Sequence, residues 1–166
     1  MKEKTVLSAL AVCLFVKIAY GQQEKTLAAM GEPSTPEAIK QLNDEKTAKL
    51  SAQIVGREDQ RAEAVFKNIK TLTGVPAGKL LKIMQLGYSR SLGVSCIHCH
   101  VPDQWEKDDK PAKQIARDMS KMAHTIIFDL LRNIDGLKDR TPLVNCTTCH
   151  RGQLKPALDM DDTAKK

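Results

Sequence analysis

Cys96-Ile97-His98-Cys99-His100 and Cys146-Thr147-Thr148-Cys149-His150, starting 50 residues apart, decide how this chain is read. Each is a C-x-x-C-H, the pattern of covalent c-type haem attachment. The spacing carries the chemistry. One turn of helix sets two sulfurs on neighbouring edges of one porphyrin, where the thiols add to the vinyl groups as thioethers, and the adjoining His brings its imidazole to the iron. Two motifs imply two covalently bound haem c groups, held by Cys96 and Cys99 and by Cys146 and Cys149, with His100 and His150 as iron ligands. His98, inside its motif, points away from the ring and is a bystander. Zinc knuckles also use C-x-x-C, but with a second pair about 15 to 20 residues away. A thioredoxin-like pair calls for a βαβ context, and simple disulfides need no His after each pair.

Working outward, the segments before the motifs carry helical periodicity. Ala62, Val65, Phe66, Ile69 and Leu72 share one face of a helix predicted over Asp59 to Leu72, which Gly74 and Pro76 end. A second helix is predicted from Pro76 to Leu92, with Pro76 in its first turn, Leu80, Leu81, Met84 and Tyr88 on one side, and Gly93 as its C-terminal cap. A third runs from Asp109 to Ile134 with Pro111 in its first turn. Its apolar face, Ile115, Met119, Met122, Ile126, Ile127, Leu130 and Leu131, has the spacing of a buried amphipathic helix. Leu137 to Asn145 reads as a loop. Nothing alternates as a strand should, so the expected fold is all-α, a small multihaem cytochrome c with two helix, turn and C-x-x-C-H units. Three Phe, two Tyr and one Trp are few for a chain of 166 residues. The haems are expected to supply the missing apolar area, leaving the haem-free chain poorly folded.

The N-terminal region reads differently. Lys2 and Lys4 precede an apolar run of 11 residues from Val6 to Val16, and Ala19-Tyr20-Gly21 supplies small residues for cleavage, so residues 1–21 are read as an export signal. That run is short of the roughly 20 residues that span a bilayer. Membrane association is expected only if the signal is left uncleaved. Removal takes Cys13 away and leaves four cysteines, all within the two motifs. Residues 22–60 form a polar extension with a sparse stripe, Ile39, Leu42, Leu50 and Ile54, read either as a loosely held helix or as a solvated linker. Residues 61–157 form the dihaem domain and 158–166 a polar tail. The formal charge of +6 is spread among alternating acids and bases. No basic block follows a phosphate backbone, so nucleic acid is not an expected partner.

The opposite face of each iron decides between electron transfer and ligand binding. Met84, 12 residues before Cys96, is the first choice for the first haem, with Gly87 one turn later leaving room for a flat ring. For the second haem the candidates are Met119, Met122 and His124. Met119 lies in a strip of small residues, Ala112, Ala116 and Ala123, against which a porphyrin packs.

Residues from Ala64 to Pro156 resemble the cytochrome subunit of photosynthetic reaction centres, especially short relatives with two haems. The likeness rests on Val65-Phe66-Lys67-Asn68-Ile69, Gly74-Val75-Pro76-Ala77, Ser91-Leu92-Gly93-Val94, Ala116-Arg117-Asp118-Met119-Ser120-Lys121-Met122 and Cys146-Thr147-Thr148-Cys149-His150-Arg151-Gly152. It implies Met84 and Met119 as sixth ligands. The photosynthetic subunit carries four haems and this chain two motifs, so binding to a reaction centre does not follow. The stretch from Met119 to Cys146 is longer than in that subunit, which keeps Met122 and His124 as alternatives. The resulting expectation is an exported, periplasmic one-electron carrier that meets redox proteins by transient contact, with no catalytic residues and with Arg151 beside a haem propionate. A small dihaem peroxidase or a gas sensor, each with one open iron position, is the rival reading.

Overall fold

A computed structural model of the protein describes residues 32–137 and 141–156. The expected signal over 1–21, residues 22–31 of the polar extension and the tail over 158–166 lie outside the described residues. The described residues from Ser34 on fall in one compact unit. Among the described residues it is helical, with no strand and only two isolated bridges, Arg61 to Pro76 and Val101 to Gln104.

Helix α1 spans Pro36–Gln53. Thr35 caps it, its hydroxyl accepting from the Ala38 N–H at 3.2 Å, and Pro36 supplies a first residue already fixed near helical φ. The sparse stripe read from sequence is therefore a helix, and it is integral. Ile54, just past its end, joins Ala77 and Leu81 in the apolar core, with Leu50, Val65 and Phe66 packed against them.

The helix predicted over Asp59 to Leu72 is reduced to one turn, α2, Ala62–Val65. Phe66 turns extended at φ −114° and ψ 150°, and Asn68 sits in the left-handed region at φ 60°. The Asn68 amide donates to the Glu106 carbonyl and, at 2.9 Å, to Asp108 Oδ1. These tertiary bonds, together with the β-branched Val65, Ile69, Thr71 and Thr73, outweigh the helical spacing. Residues 62–76 are closed at their base by Ala62 N–H to Val75 O at 2.7 Å and Ala77 N–H to Gln60 O at 2.8 Å.

Helix α3 covers residues 77–92 in three continuous segments: α-helical Ala77–Lys82, π-helical Ile83–Ser89 and α-helical Arg90–Leu92. Pro76 is its N-terminal cap, and Gly93 ends it in the left-handed region at φ 66°. Helix α4, Cys96–Cys99, follows after three residues. Helix α5 is Pro111–Thr125, continued by a π-helical turn, Ile126–Leu130, and a 3-10 turn, Leu131–Asn133. Helix α6 is Cys146–His150.

The long apolar face expected to be buried on α5 is not buried by protein. Ile115 is 61%, Met119 37% and Met122 46% exposed. The opposite face packs inward: Lys113 is buried, and the Ser120 hydroxyl bonds the Tyr88 hydroxyl of α3. Among the described residues the buried apolar set is only Ile54, Ala62, Ala77, Leu80 and Leu81, against seven buried polar or charged residues. So small an apolar core leaves much of the packing around these residues to something other than their own side chains.

Candidate haem centres

The first centre is built by three distant parts of the chain. Helix α4 places Cys96 and Cys99 one turn apart, and Asn43 of α1 fixes its start. The Cys96 N–H donates to Asn43 Oδ1 at 2.8 Å while the Asn43 amide donates to the Val94 carbonyl at 3.3 Å. His100 leaves the helix extended, and its Nδ1 lies 2.9 Å from the Trp105 carbonyl. A carbonyl only accepts, so Nδ1 carries the proton and Nε2 keeps its lone pair for a metal. The Trp105 ring stands edge-on to the imidazole at 5.8 Å. Burial holds His100 below its ordinary pKa, and the Lys113 and Arg117 cations add to that, so the ring is neutral at physiological pH.

Cys96, Cys99, His100 and Met84 line one cleft, walled also by residues 67–72 and by Ala116 and Arg117 of α5. Its cavity volume is about 110 Å³, and beyond that the cleft is open to solvent. Met84 shares this cleft with both cysteines and His100. Gly87 does not line the cleft, because the π-helical turns of 83–89 rotate it off the face that an α-helix would share with Met84.

At the cleft's edge Asp108 gathers three cations. Its carboxylate meets Lys70 at 2.7 Å, Arg117 at 3.0 Å and Lys113 at 3.1 Å, besides the Asn68 amide. Hydrogen bonds from Arg117, then Lys70, Asn68 and Lys113, hold Asp108 well below the usual carboxylate range. The Lys113 and Arg117 side chains are only 9% and 11% exposed. Sequence reasoning passed over Asn43, Trp105, Asp108, Lys113 and Arg117 as site residues, since no spacing marks them and their partners lie in other segments.

The second centre is local. Asn145 caps α6 with a reciprocal box: its Oδ1 accepts from the Thr148 N–H at 3.1 Å, and its own N–H donates to Thr148 Oγ1 at 3.1 Å. The turn then docks on the end of α3. The Ser91 and Thr147 hydroxyls bond at 2.6 Å, and the Gly152 N–H donates to the Ser91 carbonyl at 2.8 Å. Gly93 makes this approach possible, since a Cβ there would lie 2.1 Å from the Gly152 carbonyl oxygen. His150 is buried, and its Nδ1 lies 3.1 Å from the Gln153 carbonyl, repeating the arrangement at His100. Arg151, expected beside a propionate, is an exposed residue at φ 51° that ends α6.

Met119 and Met122 stand on the uncovered face of α5 and do not line the first cleft. His124 stacks its ring on Phe128 at 4.2 Å, and the Arg132 guanidinium covers the same Phe128 ring. The donor chemistry fits haem better than the other uses of paired cysteines. Burial pushes the Cys96 and Cys146 thiols up, whereas a redox-active thiol is pushed down. Among the described residues no three His, Cys, Asp or Glu side chains converge on one point as metal-ion ligands. No helix of the described residues is long and apolar enough to cross a membrane.

Comparison with known proteins agrees with this chemistry. The family model described as "Photosynthetic reaction centre cytochrome C subunit" matches residues 18–161. Cytochrome c-554 of Chloroflexus aurantiacus is 29% identical over 83 residues, which are 50% of this chain and 20% of that protein. The photosynthetic reaction center cytochrome c subunit of Thermochromatium tepidum is 28% identical over 97 residues, 58% of this chain and 23% of the relative. The chain thus spans less than a quarter of the length of either relative. With the family model covering most of its residues and both C-x-x-C-H turns inside the match, the chain belongs to the photosynthetic reaction centre cytochrome c subunit family.

Proposed function

We propose that the protein is an exported dihaem c-type cytochrome that carries single electrons between redox proteins. One observation carries the reading: His100 and His150 each close a C-x-x-C-H turn, and each engages Nδ1 with a backbone carbonyl while keeping Nε2 for iron. Cys96 and Cys99 would hold one haem c by thioether bonds, Cys146 and Cys149 the other. Haem c, when bound, supplies an iron that gains and loses one electron, at a potential raised by His/Met ligation.

The chain's own residues orient and shield. The Trp105 and Gln153 carbonyls fix the two imidazoles. Met84 lines the first cleft and would join His100 in holding iron there; Met119, on a face of α5 that protein leaves bare, would join His150 at the second haem, with Met122 and His124 as the alternatives. Partners meet the carrier transiently and partly through charge.

Intact-mass analysis of the mature protein, exported from a host with working cytochrome maturation, should show two added haems. Absorption and electron paramagnetic resonance spectra should show two low-spin His/Met centres. A high-spin signal would favour peroxide or gas binding instead, and a bare polypeptide would end the haem reading.

A further inference from the structure

Resting on the carrier reading, we propose that Lys113 is a positioning residue that raises the reduction potential of the first haem, acting through the Trp105 carbonyl that holds His100. Lysine is seldom buried unless its ammonium is fully engaged. That of Lys113 is engaged by three acceptors, the Trp105 carbonyl at 2.9 Å, the Lys107 carbonyl at 2.6 Å and Asp108 Oδ1 at 3.1 Å. An ammonium has three donors, so the set is complete.

The Trp105 oxygen is the shared element. Its two lone pairs meet His100 Nδ1 and Lys113 Nζ, each at 2.9 Å. A strong acceptor on the outer nitrogen of a ligand His makes that ligand more basic and favours the oxidised metal. The ammonium withdraws electron density from the same oxygen, weakens it as an acceptor for His100, and so favours the reduced iron. The field of a buried cation acts in the same direction. Asp108 does not cancel it, because one carboxylate is divided among Lys113, Arg117 and Lys70.

The test is potentiometric titration of the exported holoprotein, following each haem separately. Lys113→Met should shift the reduction equilibrium of the first haem at least tenfold toward the oxidised form, which for one electron is about 59 mV downward. The second haem should not move, and Lys113→Arg should restore most of the shift. Arg117→Met is the control, since it removes an equally buried cation from the same cleft without touching the Trp105 carbonyl. It should move the first haem less than half as far. An unchanged potential in Lys113→Met overturns the proposal, as does an equal shift in Arg117→Met. Should Lys113→Met fail to accumulate, Asp108→Asn strips the counter-charge and should move the first haem upward; no movement overturns the proposal as well. The carrier reading fails separately, if the unsubstituted protein lacks a low-spin haem on Cys96 and Cys99.

Discussion

The first C-x-x-C-H turn takes its cap from Asn43, 53 residues earlier, whereas the second takes its cap from Asn145, the residue beside it. The same contrast continues outward. Around the first turn the fold supplies walls from residues 67–72, α3 and α5, and a ring of buried charge. Around the second it supplies a docking contact with Ser91 and Gly93, an exposed Cys149 and a bare apolar stripe on α5. One C-x-x-C-H turn is thus assembled by tertiary structure, and the other is a local motif hooked onto it. The two should fail in different ways.

The largest difference is expected from removing the thioether anchors. Cys96→Ala with Cys99→Ala should cost one haem by mass and most of the helical circular dichroism, since the central cleft loses its filling. Cys146→Ala with Cys149→Ala should cost one haem and leave the first centre's spectrum in place. Equal collapse in both would erase the distinction drawn here. Next is Gly93→Ala. It needs φ 66° and would place a Cβ 2.1 Å from the Gly152 carbonyl oxygen. A loss of about 2 to 4 kcal/mol in denaturant unfolding is expected, with the second haem's spectrum disturbed before the first's.

Capping sharpens the comparison at smaller scale. Asn43→Ala leaves the partly buried Cys96 N–H without its acceptor and should cost about 2 kcal/mol. Asn145→Ala removes an exposed box and should cost about 1 kcal/mol. Equilibrium unfolding of the holoprotein measures both. The smallest effect is in acid. Asp108 is held below its unfolded pKa of about 3.9, so its stabilising share is present above that pH and is lost as pH falls toward the folded value. Asp108→Asn should lower stability in the neutral region, where the ionised carboxylate contributes, and flatten the acid limb of the profile below about pH 4.

This division also explains what sequence could reveal. The second turn is legible because its cysteines and its His are neighbours. The first is legible only in its five residues, while its supports come from Asn43, Trp105, Asp108 and Lys113, whose roles exist only after folding. Periodicity misled in two places for related reasons. The spacing of Ala62 to Leu72 is helical, yet Asn68 is drawn out of helix by Glu106 and Asp108. The stripe on α5 is apolar, and its spacing reads as buried when protein leaves much of it bare. The all-α class was readable because no tertiary contact had to be known to see it.

The π-helical run Ile83–Ser89 gives α3 two faces that do not share a phase. A uniform α-helix advances about 100° per residue, and bonds reaching five residues back open the winding. Met84 near the start of that run can therefore address one haem pocket while Ser91 and Gly93 meet the Thr147–Gly152 hook from an azimuth a regular helix of equal length would not offer. A single deletion between residues 85 and 89 would rewind the rod and swing the hook's anchor around the axis, so the run acts as a clutch that keeps the Met84 face and the Ser91–Gly93 face separately aimed on one shaft.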